Sequence, residues 1–327
     1  MHRSVVHAVM AILATSGSSF AEATAPEDSA LVAEGPTSEE DASNFGGGVS
    51  QSASWSEDAD PSWYHTTSAQ FFWTPGSGSL GIDELRVGVD LIGADFQFDS
   101  LWAVEPNAGM SWSQGLASLD LDAWITSSEG DTLSDKGFDA ELAFALVEGE
   151  HDLVSLALSG SLTEASGSEA GAGIRWMRTN GRYRFNAGIA ATRRWEVDVS
   201  ALAQNLPRRL APKSYEGDQW VFGGNAGVRI LLGEFAISPR LSAAATRSEM
   251  ETSRSTGKGK RGATSGTTTS TLALWSLDAT PSVRLAWNRG VFDIATTLGS
   301  TSSWALSSKG ETEAFQPWVS LSAGVGW

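Results

Sequence analysis

Cysteine is absent from this chain of 327 residues, so neither a disulfide nor a thiolate metal site can form. Long apolar runs are absent too. The longest, Ala8-Val-Met-Ala-Ile-Leu-Ala14, falls far short of the roughly 20 residues a membrane-spanning helix needs. Positive charge is scarce: 22 Lys and Arg stand against 39 Asp and Glu, for a net charge of -17, which makes nucleic acid and anionic lipid poor partners for the surface as a whole. Beyond His2 and His7 the only histidines are His65 and His151, which leaves little material for acid–base or metal chemistry. Gly257-Lys-Gly-Lys-Arg-Gly262 lacks the spacing of a phosphate loop, and Glu57, Asp58 and Asp60 lack the ligand spacing of a calcium loop. No catalytic residue, metal ligand or cofactor is expected.

What is present points to export and to strands. Residues 1–21 carry Arg3, the apolar run and then Ser19 and Ala21 as small residues before a cut, and so read as a cleaved secretory signal. Residues 22–44 hold seven carboxylates among Ala, Ser and Pro and read as a disordered acidic tail. From there to residue 327 the chain has one domain's worth of alternating segments. The last of them places Phe315, Val319, Leu321, Ala323, Val325 and Trp327 on one parity, with Gln316, Ser320, Ser322, Gly324 and Gly326 on the other.

A final amphipathic strand closed by an aromatic residue resembles the assembly signal of Gram-negative outer-membrane β-barrels. The resemblance covers residues 45–327 and implies an all-β fold, a transmembrane antiparallel up-and-down barrel. Fourteen segments alternate, near 45–55, 63–73, 80–93, 98–113, 116–127, 137–148, 152–163, 170–179, 182–194, 218–232, 235–247, 268–288, 291–305 and 314–327, with twelve strands as the alternative count. An exported soluble β-sandwich or β-solenoid is the competing class. Tight connections at Pro75-Gly-Ser-Gly, Glu148-Gly-Glu-His, Asn180-Gly, Gly233-Glu and Asn288-Arg-Gly alternate with long ones at 56–62, 128–136, 164–169, 195–217, 248–267 and 306–313. This asymmetry places both termini and the tight turns in the periplasm and the long loops outside the cell. Asn180-Gly181 reads as the centre of a two-residue hairpin, since both residues accept positive φ.

Eight tryptophans sort to strand ends. Trp73, Trp112, Trp287 and Trp327 fall at the periplasmic ends and Trp63, Trp220, Trp275 and Trp304 at the outer ends, as two interfacial belts require. The polar parity of each strand should face the lumen. It contributes an acidic wall of Glu84, Asp90, Glu105, Asp120, Asp122, Asp139 and Glu141, and a basic wall of Arg175, Arg182, Arg184, Arg229, Arg240 and Arg284. Such opposed walls resemble the constriction of general diffusion porins and imply a transverse field. The alternative is cross-strand pairing that packs the lumen shut.

The leading expectation is a passive channel for small hydrophilic solutes in the outer membrane of a Gram-negative bacterium. Its partners would be outer-membrane lipid and lipopolysaccharide, the barrel-assembly machinery and the solutes themselves. Two alternatives belong to other classes. One is an autotransporter-type or adhesin-like barrel acting through its outer loops. The other is a lipid-modifying enzyme in which His65 meets a serine at the lipid-facing surface.

Overall fold

The computed structural model describes residues 44–56, 63–75, 82–95, 100–128, 135–164, 167–198, 211–212, 216–256, 266–307 and 310–326. The proposed leader, the acidic tail, Glu57, Asp58, Asp60 and Trp327 lie outside these residues.

Residues 44–326 form β1(Asn44–Ser56), β2(Trp63–Thr74), β3(Ile82–Asp95), β4(Ser100–Gln114), β5(Ala117–Ser128), β6(Asp135–Glu148), β7(Asp152–Thr163), β8(Gly167–Asn180), β9(Tyr183–Asp198), β10(Ala211–Pro212), β11(Glu216–Leu232), β12(Phe235–Thr256), β13(Gly266–Arg289), β14(Phe292–Ser307) and β15(Gly310–Gly326). Every neighbouring pair is antiparallel, and β1 pairs with β15 from Gly48↔Gly326 to Ser56↔Trp318. The wall is therefore closed. Setting aside β10, which only bridges Thr252 and Ser253 of β12, it has fourteen strands rather than twelve. Closure of the ring removes the two edges an open sheet would have, the condition for strands in a bilayer.

The two ends of the barrel differ. At one end, Gly115-Leu116, Gly181-Arg182, Gly233-Glu234 and Gly290-Val291 make two-residue turns, with Gly φ of 61°, 57°, 71° and 61°. The following residue is not among those with positive φ, so the turns are of the II′ type, where only the first central position needs glycine. This corrects the turn expected at Asn180-Gly181. Asn180 belongs to β8 and pairs with Tyr183, and Arg182 is a central turn residue. We call this the turn end and the opposite one the loop end.

Two expected loops are largely strand. β12 and β13 remain paired as far as Thr256↔Gly266, and β14 and β15 as far as Ser307↔Gly310. Their 22 and 24 residues make β12 and β13 about twice as long as the roughly 9 to 11 needed to cross a bilayer. The β12–β13 hairpin therefore projects well beyond the apolar band.

Three of the prolines inside strands coincide with a gap in a ladder. The β4–β5 ladder skips Pro106, the β11–β12 ladder skips Pro239 and the β13–β14 ladder skips Pro281, as expected for a residue without an N–H to donate. All three share the outward parity, with Val104, Leu241 and Val283 as neighbours two positions away.

There is no packed apolar core. Among the described residues the buried apolar side chains are Ile92, Ala94, Ala103, Ala157, Ala236, Met250 and Ala295, five of them alanine. Large apolar residues are instead exposed around the circumference, including Phe71, Val87, Leu91, Ile125, Leu158, Ile189, Leu241, Leu298 and Leu321. An apolar surface of that extent is stable only against lipid.

Candidate functional site

Strand register puts the seven expected carboxylates on one face of four adjacent strands, β3 to β6, opposite in parity to the exposed apolar residues. Three cross-strand pairs are like-charged: Asp90↔Glu105, Asp120↔Glu141 and Asp122↔Asp139. Directly opposed like charges destabilise a sheet. Arg86 offsets part of this: its Nη2 donates to both oxygens of Asp122 at 3.1 and 3.2 Å, and it lies 3.6 Å from Glu84 and 4.0 Å from Asp120. Asp90 accepts from Asn107 Nδ2 at 2.9 Å, and Glu105 accepts from the Thr126 hydroxyl. The other Asp90 oxygen and Asp139 Oδ1 are buried without a protein partner.

The arginines fall into three groups. Arg175 is joined to the acidic side, donating from Nη1 and Nη2 to Glu141 at 2.7 Å each, a two-bond clamp that skips the intervening strand β7. Arg194 likewise donates to Glu169 at 2.8 Å. Glu169 shares the parity of Asp139 and Glu141, a signal readable in the sequence that the expected acidic wall did not include. Arg184, Arg229, Arg240 and Arg284 form the second group, on β9, β11, β12 and β13. Arg184 lies directly opposite Arg229, and Ser238 links that row to Arg284. In a ring of fourteen strands the one seven places away is across the lumen, so β4 faces β12 and β5 faces β13. By the same rule β11 faces β3, so Arg229, Arg240 and Arg284 stand across from carboxylate-bearing strands, while Arg184 on β9 faces β2 and extends that arc by one strand. Arg182 makes the third group and is a correction: as an exposed turn residue it leaves the wall, donating to the Tyr183 hydroxyl at 2.9 Å with its guanidinium 5.1 Å from that ring. A turn one residue later than expected moved it out.

Several inward positions of β6 to β11 are small, among them Ala143, Ala157, Gly171, Gly173, Gly188 and Gly223. Among the inward aromatic rings, three lie where a side chain on the facing glycine would stand: Phe72 over Gly46, Trp124 over Gly137 and Trp318 over Gly299. Alternation alone misses them, because an aromatic residue on a polar parity reads as noise.

Outward, Trp63, Trp220, Trp275 and Trp304 lie toward the loop end, and Trp73, Trp112 and Trp287 toward the turn end. Trp73 stacks on Phe45 with centroids 6.2 Å apart, and Trp287 Nε1 donates to Glu234 at 3.2 Å. Trp102, Trp176 and Trp195 share this face but were not placed in the belts; Trp176 Nε1 donates to Asp152 at 3.1 Å. Arg193 is outward as well, 5.3 and 5.5 Å from the rings of Trp195 and Trp220, with Asp218 at 2.7 Å. In the terminal strand Val319, Leu321, Ala323 and Val325 pair with both β14 and β1, and Phe315 is exposed on the same face. His65 faces outward, edge-on to Trp102 at 4.6 Å, and its cross-strand neighbours are Ala53 and Gly93.

A closed antiparallel wall of fourteen strands, apolar outside and charged inside, defines an outer-membrane β-barrel protein of porin-like architecture. No family model and no curated protein matches its sequence. Among solved structures, the chain is similar to a "Bacterial polysaccharide outer membrane secretin" at 11% identity and a TM-score of 0.45, over 86% of this chain and 98% of that one. It is similar to a loop-deletion form of OmpT, an outer membrane protein of Vibrio cholerae, at 7% identity and a TM-score of 0.47, over 88% and 99% of the two chains. It is also similar to the outer membrane channel DcaP of Acinetobacter baumannii, at 10% identity and a TM-score of 0.43, over 87% and 97%.

Proposed function

We propose that the barrel is a passive channel for small hydrophilic solutes, with a transverse field across its lumen. The observation that carries this reading is the placement of Arg229, Arg240 and Arg284, with Arg184 beside Arg229, across the ring from the carboxylates of β3 to β5. The like-charged pairs also favour a hydrated interior, since water and mobile cations relieve a repulsion that a dry lumen would amplify. Fourteen strands spaced about 4.8 Å apart and tilted by about 40° make a wall roughly 28 Å across, wide enough for water once side chains are subtracted.

In this reading the chain is exported through a cleaved signal, assembled by the barrel-assembly machinery from its terminal strand, and set with its turn end in the periplasm. Lipopolysaccharide surrounds the loop end. No cofactor or catalysis enters, and His65, held between Gly93 and Trp102, serves packing. One observation favours a second reading: the projecting β12–β13 hairpin offers an outer surface through which an adhesin-like barrel could act.

Purified protein in a planar bilayer tests the first reading. Discrete conductance steps are expected, and a silent bilayer containing heat-modifiable, folded protein would exclude an open channel.

A further inference from the structure

The outward face of β4 to β7 carries a groove of about 650 Å³ that the channel reading does not use. Its floor is Pro106, Ala108 and Ala123, small groups at positions where the neighbouring outward residues are Val104, Met110 and Leu121. Ile125, Phe138 and Leu162 form its walls. The floor coincides with the break in the β4–β5 ladder, which runs Val104↔Ser127 and resumes at Asn107↔Trp124 around Pro106. At the loop-end rim, Lys136 Nζ stands 3.4 Å from Glu164, both side chains about two-thirds exposed at 66% and 61%. A pair that open contributes little, so the ammonium can exchange its carboxylate for another anion.

We propose that this groove holds one acyl chain of a phosphorylated outer-leaflet lipid, whose phosphate sits on Lys136. The inference rests on the loop end facing outward, as in the function proposed above. An apolar hollow of this size in a bilayer does not fill with water. Lipid tails are as apolar as the groove, so burial by itself selects nothing; shape and the charge at the rim do. A lysine at that level reaches up to the headgroup layer, where phosphate is the available anion. A second copy of the chain would bring an apolar wall and leave Lys136 without an anion.

The test uses full-length protein refolded in an alkyl maltoside, loaded with diphosphorylated lipid A, exchanged into fresh detergent and weighed by native mass spectrometry. The unaltered protein should retain one lipid A. Ala108→Phe, which fills the floor, should lose it while keeping the heat-modifiable barrel, and Lys136→Gln should weaken retention about tenfold, the scale of one charge-assisted contact. Glu164→Gln, which frees the lysine, should retain lipid at least as well. Equal retention in all variants would overturn the proposal, as would equally tight binding of dephosphorylated lipid A or a dimer that Ala108→Phe abolishes. None of these outcomes depends on conductance, so the channel stands or falls separately.

Discussion

Removing the arginine pair Arg184 and Arg229 should shift ion selectivity by an amount the geometry sets. The two residues are direct cross-strand partners, so Arg184→Ala with Arg229→Ala deletes two charges at one place in the lumen wall. An ion passing about 8 Å from one unit charge in water interacts with it by about 0.5 kcal/mol. At physiological salt the Debye length is about 8 Å, which screens this to about 0.2 kcal/mol. Two charges then give about 0.4 kcal/mol, roughly a factor of two in partitioning. The sign is opposite for anions and cations, so the anion-to-cation permeability ratio should fall about fourfold, and further if the lumen is less polarisable than water. In 1 M salt the Debye length shrinks to about 3 Å and the effect should nearly vanish. The assay is the reversal potential of single channels under a salt gradient, with Arg184→Lys and Arg229→Lys as the charge-preserving control. An unchanged ratio in dilute salt, from folded and conducting protein, would place these residues off the conduction path and refute the argument.

Asp120→Asn with Asp122→Asn should shift selectivity the other way, toward anions, because it removes charge from the facing arc; the same reversal potentials check it. Deleting Trp327, or Trp327→Ser, should sharply reduce the heat-modifiable form in outer-membrane fractions, and undiminished folded barrel would end the assembly-signal reading. A protease site inserted after Gly262 should be cut on intact cells, while one between Gly181 and Arg182 should be protected; the reverse pattern would invert the barrel. Gly299→Val should cost about 1–3 kcal/mol in urea unfolding, because the new side chain meets the Trp318 ring, and adding Trp318→Ala should restore part of that loss. Additive losses in the double variant would deny the contact.

Much of this fold is legible in one dimension because its main determinant is local. Where one face of a strand meets lipid and the other water, a period of two is written into each segment, as in Val319, Leu321, Ala323 and Val325 or Val87, Val89 and Leu91. Turn glycines such as Gly181 and Gly233 are equally local, because positive φ is a property of one residue. The pattern fails where its cause fails. Beyond the apolar band no lipid imposes a period of two, so the polar run Thr252 to Thr256 and the run Gly266 to Ser270 carry no alternation and read as a loop, although they pair as far as Thr256↔Gly266. One residue of uncertainty in a turn was enough to assign Arg182 to the lumen.

The sequence by itself determined the class of fold, the strand number, and which side chains share a face, because each follows from neighbours two positions apart and from turn chemistry. Only the tertiary structure decided that β1 closes on β15, that Arg175 clamps Glu141 across an intervening strand, and that Trp124 and Trp318 cover glycines on adjoining strands. It also decided that the break at Pro106 opens a hollow beneath Lys136. These are relations between residues far apart in the chain, created when register brings strands side by side, and no local pattern encodes the partner across the gap.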